Sequence, residues 1–127
     1  MSVLLSIKPE FADRIFAGEK KFEFRRALPA EHVERVVIYV SSPVQRILGE
    51  FVVGRVLSMS PSALWRQTRD HAGITRAYFN QYFAGRPLAH ALEVERVVRY
   101  RQPIDPWQSV DDFTAPQSFM YLRTLER

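Results

Sequence analysis

The chain has 127 residues, 46% of them hydrophobic and 13% aromatic. That is enough for one compact domain burying about two thirds of its unfolded surface, and too little for two. Eighteen Lys and Arg against fourteen Asp and Glu give a formal charge of +4, which excludes an acidic, disordered or calcium-buffering chain. Cysteine is absent and histidine occurs three times, so disulfides, thiolate zinc ligands and a cysteine nucleophile are excluded, and neither a structural metal nor a cofactor is expected.

Val3 to Ile7 reads as a short buried strand, and its apolar run stops at Lys8-Pro9, too short for a signal-peptide core. Pro9 opens a helix at the position where a missing N–H costs nothing; Phe11, Ile15 and Phe16 form its apolar stripe and Gly18 stops it. In the strand that follows, over 20–26, period-two alternation puts Phe22 and Phe24 on one face and Lys21, Glu23 and Arg25 on the other. Val36 to Val40 is a β-branched and aromatic strand ending at Ser41-Ser42-Pro43, and Leu48 to Met59 is a longer strand whose Gly54 marks a bulge or bend.

Ser60-Pro61 caps and starts a helix running to about Asp70. Thr75 caps a second helix, in which Tyr78, Phe79, Tyr82 and Phe83 form one broad stripe expected to pack against the sheet. A long strand follows from Ala91 to Arg101, with Leu92, Val94, Val98 and Tyr100 on one face and Glu93, Glu95, Val97 and Arg99 on the other. It is expected to break at Pro103-Ile104-Asp105-Pro106, leaving Gln117 to Leu122 as the last strand. Strands around an inserted helical pair predict an α+β fold, a small closed or nearly closed mixed β-barrel with helices plugging its ends. No stretch approaches the eighteen or so apolar residues a membrane span needs, and a soluble cytoplasmic protein with no membrane partner is the expectation.

Ser6-Ile7-Lys8-Pro9, then Gly18-x-Lys20-x-x-Glu23-x-Arg25, then Val37-Ile38-Tyr39-Val40-Ser41-Ser42-Pro43 and Gly49-Glu50-Phe51 together resemble the ASCH superfamily, in a prokaryotic subgroup made of nearly the isolated domain. The resemblance covers essentially the whole chain. It implies a PUA-like barrel with a helix after the first strand and a two-helix insert, and a cleft near the end of the first helix lined by the charged motif. It also implies an RNA-binding module linked to translation or transcription control. One branch of the superfamily hydrolyses an acetylated cytidine nucleoside with the motif lysine, a threonine and a glutamate from the insert. Lys20 matches that lysine, Glu23 stands where the threonine would be, and His71-Ala72-Gly73-Ile74-Thr75 offers no carboxylate.

Two readings of Lys20, Lys21, Glu23, Arg25 and Arg26 stand side by side: a solvated strand face whose ion pairs contribute about 0.2–1 kcal/mol each, or a clamp for RNA or a nucleotide. In the second, Arg25 grips a phosphate or base edge through its planar fork, Lys8 or Lys20 adds point charge, and Glu23 holds the cations or accepts from an exocyclic amine. If the chain is an enzyme, the alternative is a small amidohydrolase acting on an N-acylated cytidine nucleoside. A desolvated Lys20 is then base or nucleophile and Glu23 shuttles the proton. A third reading is a regulatory module that takes a small anionic metabolite and a protein partner.

Tyr39, Ser41 and Ser42 end a strand where a hydroxyl can reach a cleft, and Gln117 and Ser118 precede the last strand as base contacts or turn caps. Glu50 faces the cleft or solvent, and Trp107 either stacks on a base or seals the barrel. Fifteen of the eighteen cations are arginine, nine of them between Arg46 and Arg101, which suits either a backbone-tracking surface or a GC-rich genome. The three lysines all lie within the first twenty-one residues.

Overall fold

A computed structural model describes residues 1–110 and 112–122. The elements in chain order are β1 (Ser2–Ile7), α1 (Pro9–Phe16), β2 (Phe22–Arg25), β3 (Arg35–Val40), β4 (Arg46–Met59) and α2 (Pro61–Thr68), which a 3-10 turn extends over Arg69–His71. They continue with α3 (Arg76–Tyr82), β5 (Ala89–Ile104), α4 (Pro106–Ser109) and β6 (Phe119–Tyr121). The six strands form one sheet in the order β2-β5-β4-β3-β1-β6, parallel only between β1 and β3. The sheet curls into a half-barrel, giving the expected α+β, PUA-like architecture.

β1 and β3 are apolar on both faces because both faces are covered. Val3, Leu5 and Ile7 join Val36, Ile38, Val40 and Phe51 on one side, where Ala12 and Ile15 of α1 pack; Leu4, Val37 and Tyr39 face the other side with Ile47, Phe113 and Leu122. A third cluster joins the other end of the sheet to the insert: Phe22, Phe24, Ala89 and Ala91 meet Leu64, Phe79 and Phe83. The insert leaves the sheet at Met59 and returns at Ala89, and these two residues are paired with each other.

The β4–β5 ladder shifts register three times, once between Val53 and Val56 around Gly54, where the bulge was expected. At Gly49 the close approach is severe: a Cβ there would lie 2.3 Å from the Val98 carbonyl oxygen and 2.6 Å from the Phe16 ring. β5 departs from its expected pattern. Arg96 adopts φ +47°, and the added residue puts Val97 beside Val94 on the cluster under α1, while Tyr100 moves to the opposite cluster.

β5 also runs through Pro103 to Ile104 instead of breaking before it. β2 pairs with β5 only from His90 to Glu93, so the far half of β5 has an edge on that side and Pro103 needs no ladder hydrogen there. The chain then enters the unexpected short helix α4, started by Pro106 and capped by the Asp105 carboxylate, which accepts from the Trp107 N–H at 3.0 Å. The last strand is shorter than expected, covering Phe119–Tyr121. Among the described residues no helix is long and apolar enough to cross a membrane.

Candidate functional site

β2 and β6 are the two edges of the curled sheet, and a cavity of about 410 Å³ opens where the β2 edge faces the end of β1 and the approach to β6. Its walls come from Ser6, Ile7 and Lys8, from Phe11 of α1, from Lys20 and 23–27, from Ile74, Tyr78 and Tyr82 of the insert, and from Gln117 and Ser118. The volume falls within the roughly 300–1,000 Å³ typical of small-molecule sites.

Of the face expected to carry Lys21, Glu23 and Arg25, the two residues within β2 are buried, as is Lys20, while Lys21 is exposed. Glu23 is 6% exposed, Arg25 8% and Lys20 2%. Curling of the sheet turns this face toward β1, so the reading of a solvated strand face is overturned. Arg25 Nη2 donates to Glu23 Oε2 at 2.8 Å and to the Ser6 carbonyl oxygen at 3.1 Å, a bridge from β2 to β1 across the seam. Its Nε–H, also buried, meets no hydrogen-bond acceptor among the described residues. Leaving a buried donor unpaired costs about 1–3 kcal/mol.

Lys20 lies between rings. Its Nζ is 4.7 Å from the Phe24 centroid and 5.5 Å from that of Phe11, and it donates to the Ala72 carbonyl oxygen at 2.9 Å. Burial lowers its pKa from 10.5 to about 8; Glu23 opposes that shift, and Arg14 and Arg25 add to it. Gly73 makes the placement feasible. It adopts φ +69°, and a Cβ on it would lie 2.4 Å from the Lys20 Cβ. Arg14 Nη1 donates to the Gly73 carbonyl oxygen at 2.7 Å and ties this turn to α1.

The aromatic stripe of α3 divides. Phe79 and Phe83 are core, with Phe79 centred 5.2 Å from Phe24, as expected. Tyr78 and Tyr82, one helical turn apart, line the cavity instead, with rings 15° from parallel and centroids 6.3 Å apart. Lys8 Nζ lies 5.3 Å from the Tyr78 centroid, and the Arg26 guanidinium lies 4.2 Å from that of Tyr82, whose carbonyl oxygen accepts from Arg26 Nε at 2.8 Å. Burial pushes the Tyr82 hydroxyl above the ordinary tyrosine pKa.

The ASCH domain family matches residues 5–110. The chain belongs to that family. Over 130 residues this ASCH chain is 30% identical to the ASCH domain-containing ribonuclease of Zymomonas mobilis, covering 97% of this chain and 85% of that protein. The crystal structure of ASCH from Zymomonas mobilis superimposes with a TM-score of 0.90 at 28% identity, covering 98% of this chain and 90% of that one. A 32% match over 123 residues to ATP synthase subunit alpha of Ureaplasma parvum covers 96% of this chain and only 15% of that protein.

Of the residues singled out in the sequence, the cavity gathers Lys8, Lys20, Glu23, Arg25, Arg26, Gln117 and Ser118. The others do not line it. Lys21 lies exposed just before β2 and engages its neighbours through its backbone, with His71 and Val94. Tyr39 shares the Val37 face and is buried against Phe113 and the half-exposed Trp107, so its hydroxyl is directed to another cluster. Ser41 and Ser42 fall in the turn after β3, where the Ser41 N–H donates to the Ile7 carbonyl oxygen. Glu50 is also elsewhere, accepting from the Tyr100 hydroxyl at 2.6 Å with Arg35 at 3.6 Å.

Proposed function

We propose that this ASCH domain binds single-stranded RNA and seats one unstacked nucleotide in the cavity at the sheet seam. The observation that carries the reading is Arg25: a buried guanidinium whose Nε–H has no acceptor among the described residues, at the wall of a cavity it shares with Glu23 and with the rings of Phe24 and Tyr78. A base carbonyl or a phosphate oxygen meets the side of that guanidinium that faces the cavity, Glu23 accepts from an amino group on the same base edge, and the rings stack on the base face. The ribonuclease name carried by the Zymomonas mobilis relative supports RNA over other anions. In this reading the domain acts in the cytoplasm and contributes to control of translation or transcription.

Fluorescence anisotropy with labelled single-stranded RNA tests the proposal. The expected result is an affinity that falls as salt rises and is weakened at least ten-fold by Arg25→Lys, which keeps the charge and loses the fork. Binding that is absent, or indifferent to salt and to Arg25, overturns it.

One observation favours a second, hydrolytic reading of the same cavity. With its pKa lowered to about 8, Lys20 is neutral in an appreciable fraction of molecules at mildly alkaline pH. It can then take a proton from an attacking hydroxyl or water, with Glu23 beside it as acceptor. Candidate substrates are an N-acylated cytidine nucleoside, whose amide bond breaks to release acid and amine, or the RNA backbone itself. Product chromatography with each substrate, for wild type and for Lys20→Met, decides between binding and turnover: cleavage lost in the variant supports catalysis, and no cleavage by wild type removes it.

A further inference from the structure

The rim of the cavity alternates rings and cations. Moving along it, the Arg26 guanidinium lies on Tyr82, Tyr82 stacks on Tyr78, Lys8 lies over Tyr78, and the Phe11 ring meets Tyr78 edge-on at 5.1 Å. The arrangement is fixed from two elements. Tyr78 and Tyr82 are successive turns of α3, and Arg26 is clamped by its Nε bond to the Tyr82 carbonyl oxygen, which leaves its guanidinium plane at the exposed surface. Lys8 sits in the extended residue just before α1.

Structural packing alone does not call for this row. The core-filling half of the same stripe, Phe79 and Phe83, carries no cation, and Arg26 and Lys8 are both exposed yet held over rings. Rings interleaved with cations are the surface on which single strands are held. Successive bases stack on aromatic or guanidinium planes while phosphates meet the charges, and each stacked base is worth about 1–3 kcal/mol.

We infer that the row from Arg26 to Lys8 is the path of the strand leaving the cavity. A neighbouring nucleotide stacks its base on the outer face of the Arg26 guanidinium, backed by Tyr82, and Lys8 meets the connecting phosphate. The site therefore reads a short single-stranded segment of at least two nucleotides and rejects a duplex, whose bases are paired and stacked among themselves. This inference rests on the nucleotide-binding reading of the cavity and extends it beyond one residue.

A length series separates the two. Affinities are measured by competition for a nucleoside 5′-monophosphate, the matching di- and trinucleotides, and a blunt duplex of the same sequence. The expected result is a gain of roughly five-fold or more from mono- to dinucleotide, with the duplex weaker than the trinucleotide. The quantity compared across variants is the trinucleotide-to-mononucleotide ratio. Arg26→Ala and Tyr82→Leu should both bring it close to one, whereas Arg25→Lys should weaken mono- and trinucleotide together and leave the ratio standing. Arg26 is exposed and its variant is expected to fold, and a circular dichroism spectrum checks that. A mononucleotide that binds through Arg25 with no gain on lengthening, or a gain that survives both rim variants, overturns the strand path and leaves the cavity reading intact. No Arg25-dependent binding at any length overturns both.

Discussion

The close approach of Gly73 to Lys20 sets up a quantitative test. Gly73→Ala adds one methyl group at φ +69°, and that carbon would lie 2.4, 2.5 and 2.9 Å from Cβ, Cγ and Cδ of Lys20. The left-handed backbone alone costs an alanine about 1 kcal/mol. Overpacking adds about 1–3 kcal/mol more, because the nearest atom is a Cβ fixed to the backbone and cannot swing aside as the end of a side chain could. A total near 3 kcal/mol corresponds to a fall in Tm on the order of 10 °C for a chain of this size. Gly85→Ala is the matched control: φ is +75° and nothing lies within 4 Å, so only the backbone cost of about 1 kcal/mol remains. Differential scanning calorimetry of the two variants and the parent yields the difference directly. Equal losses in Gly73→Ala and Gly85→Ala would refute the claim that Gly73 is there to admit Lys20.

Folding lowers the Lys20 pKa from 10.5 to about 8, so between those values the unfolded chain holds more protons and stability gains as pH rises. The stability of wild type relative to Lys20→Met should improve by up to about 3 kcal/mol from pH 7.5 to pH 10.5, and a flat difference in urea denaturation contradicts the burial argument. Glu23→Leu strands the buried Arg25 charge and is expected to cost about 3–5 kcal/mol; a loss under 1 kcal/mol by chemical denaturation would mean the pair is solvated. Phe79→Ala should cost about 3–5 kcal/mol, while the half-buried Tyr78→Ala should cost clearly less in stability and more in RNA affinity. Measuring Tm and affinity on the same samples exposes any reversal of that order.

The ASCH pattern pointed to the charged strand, and alternation sorted Phe22 and Phe24 from Glu23 and Arg25. Alternation could not say that the second face is buried, because that depends on the sheet curling until β2 meets β1. The same rule, applied to 36–40, puts Tyr39 with Val37 and away from Val36, Ile38 and Val40; taking its hydroxyl to a cleft passed over that signal. In the α3 stripe the chemical difference was visible: tyrosines and phenylalanines alternate in pairs, and only the pair with hydroxyls lines the cavity. The bulge at Arg96 had no glycine to announce it, and the tolerance of Pro103 depends on where β2 stops pairing, a fact held by residues some eighty positions earlier.

The pairing of Met59 with Ala89 closes the insert into a loop whose two ends meet in the same ladder. Between them the insert packs back on the sheet through Leu64, Phe79 and Phe83, and its Ala72 carbonyl oxygen accepts from Lys20. The charged floor of the cavity comes from the sheet and the segments flanking it, while Ile74, Tyr78 and Tyr82 come from the loop. Floor and wall can therefore diverge separately at a few positions: exchanging Ile74, Tyr78 or Tyr82 reshapes the wall and leaves the bridge from Arg25 to Ser6 untouched, provided Leu64, Phe79 and Phe83 keep their packing on the sheet and Gly73 still admits Lys20.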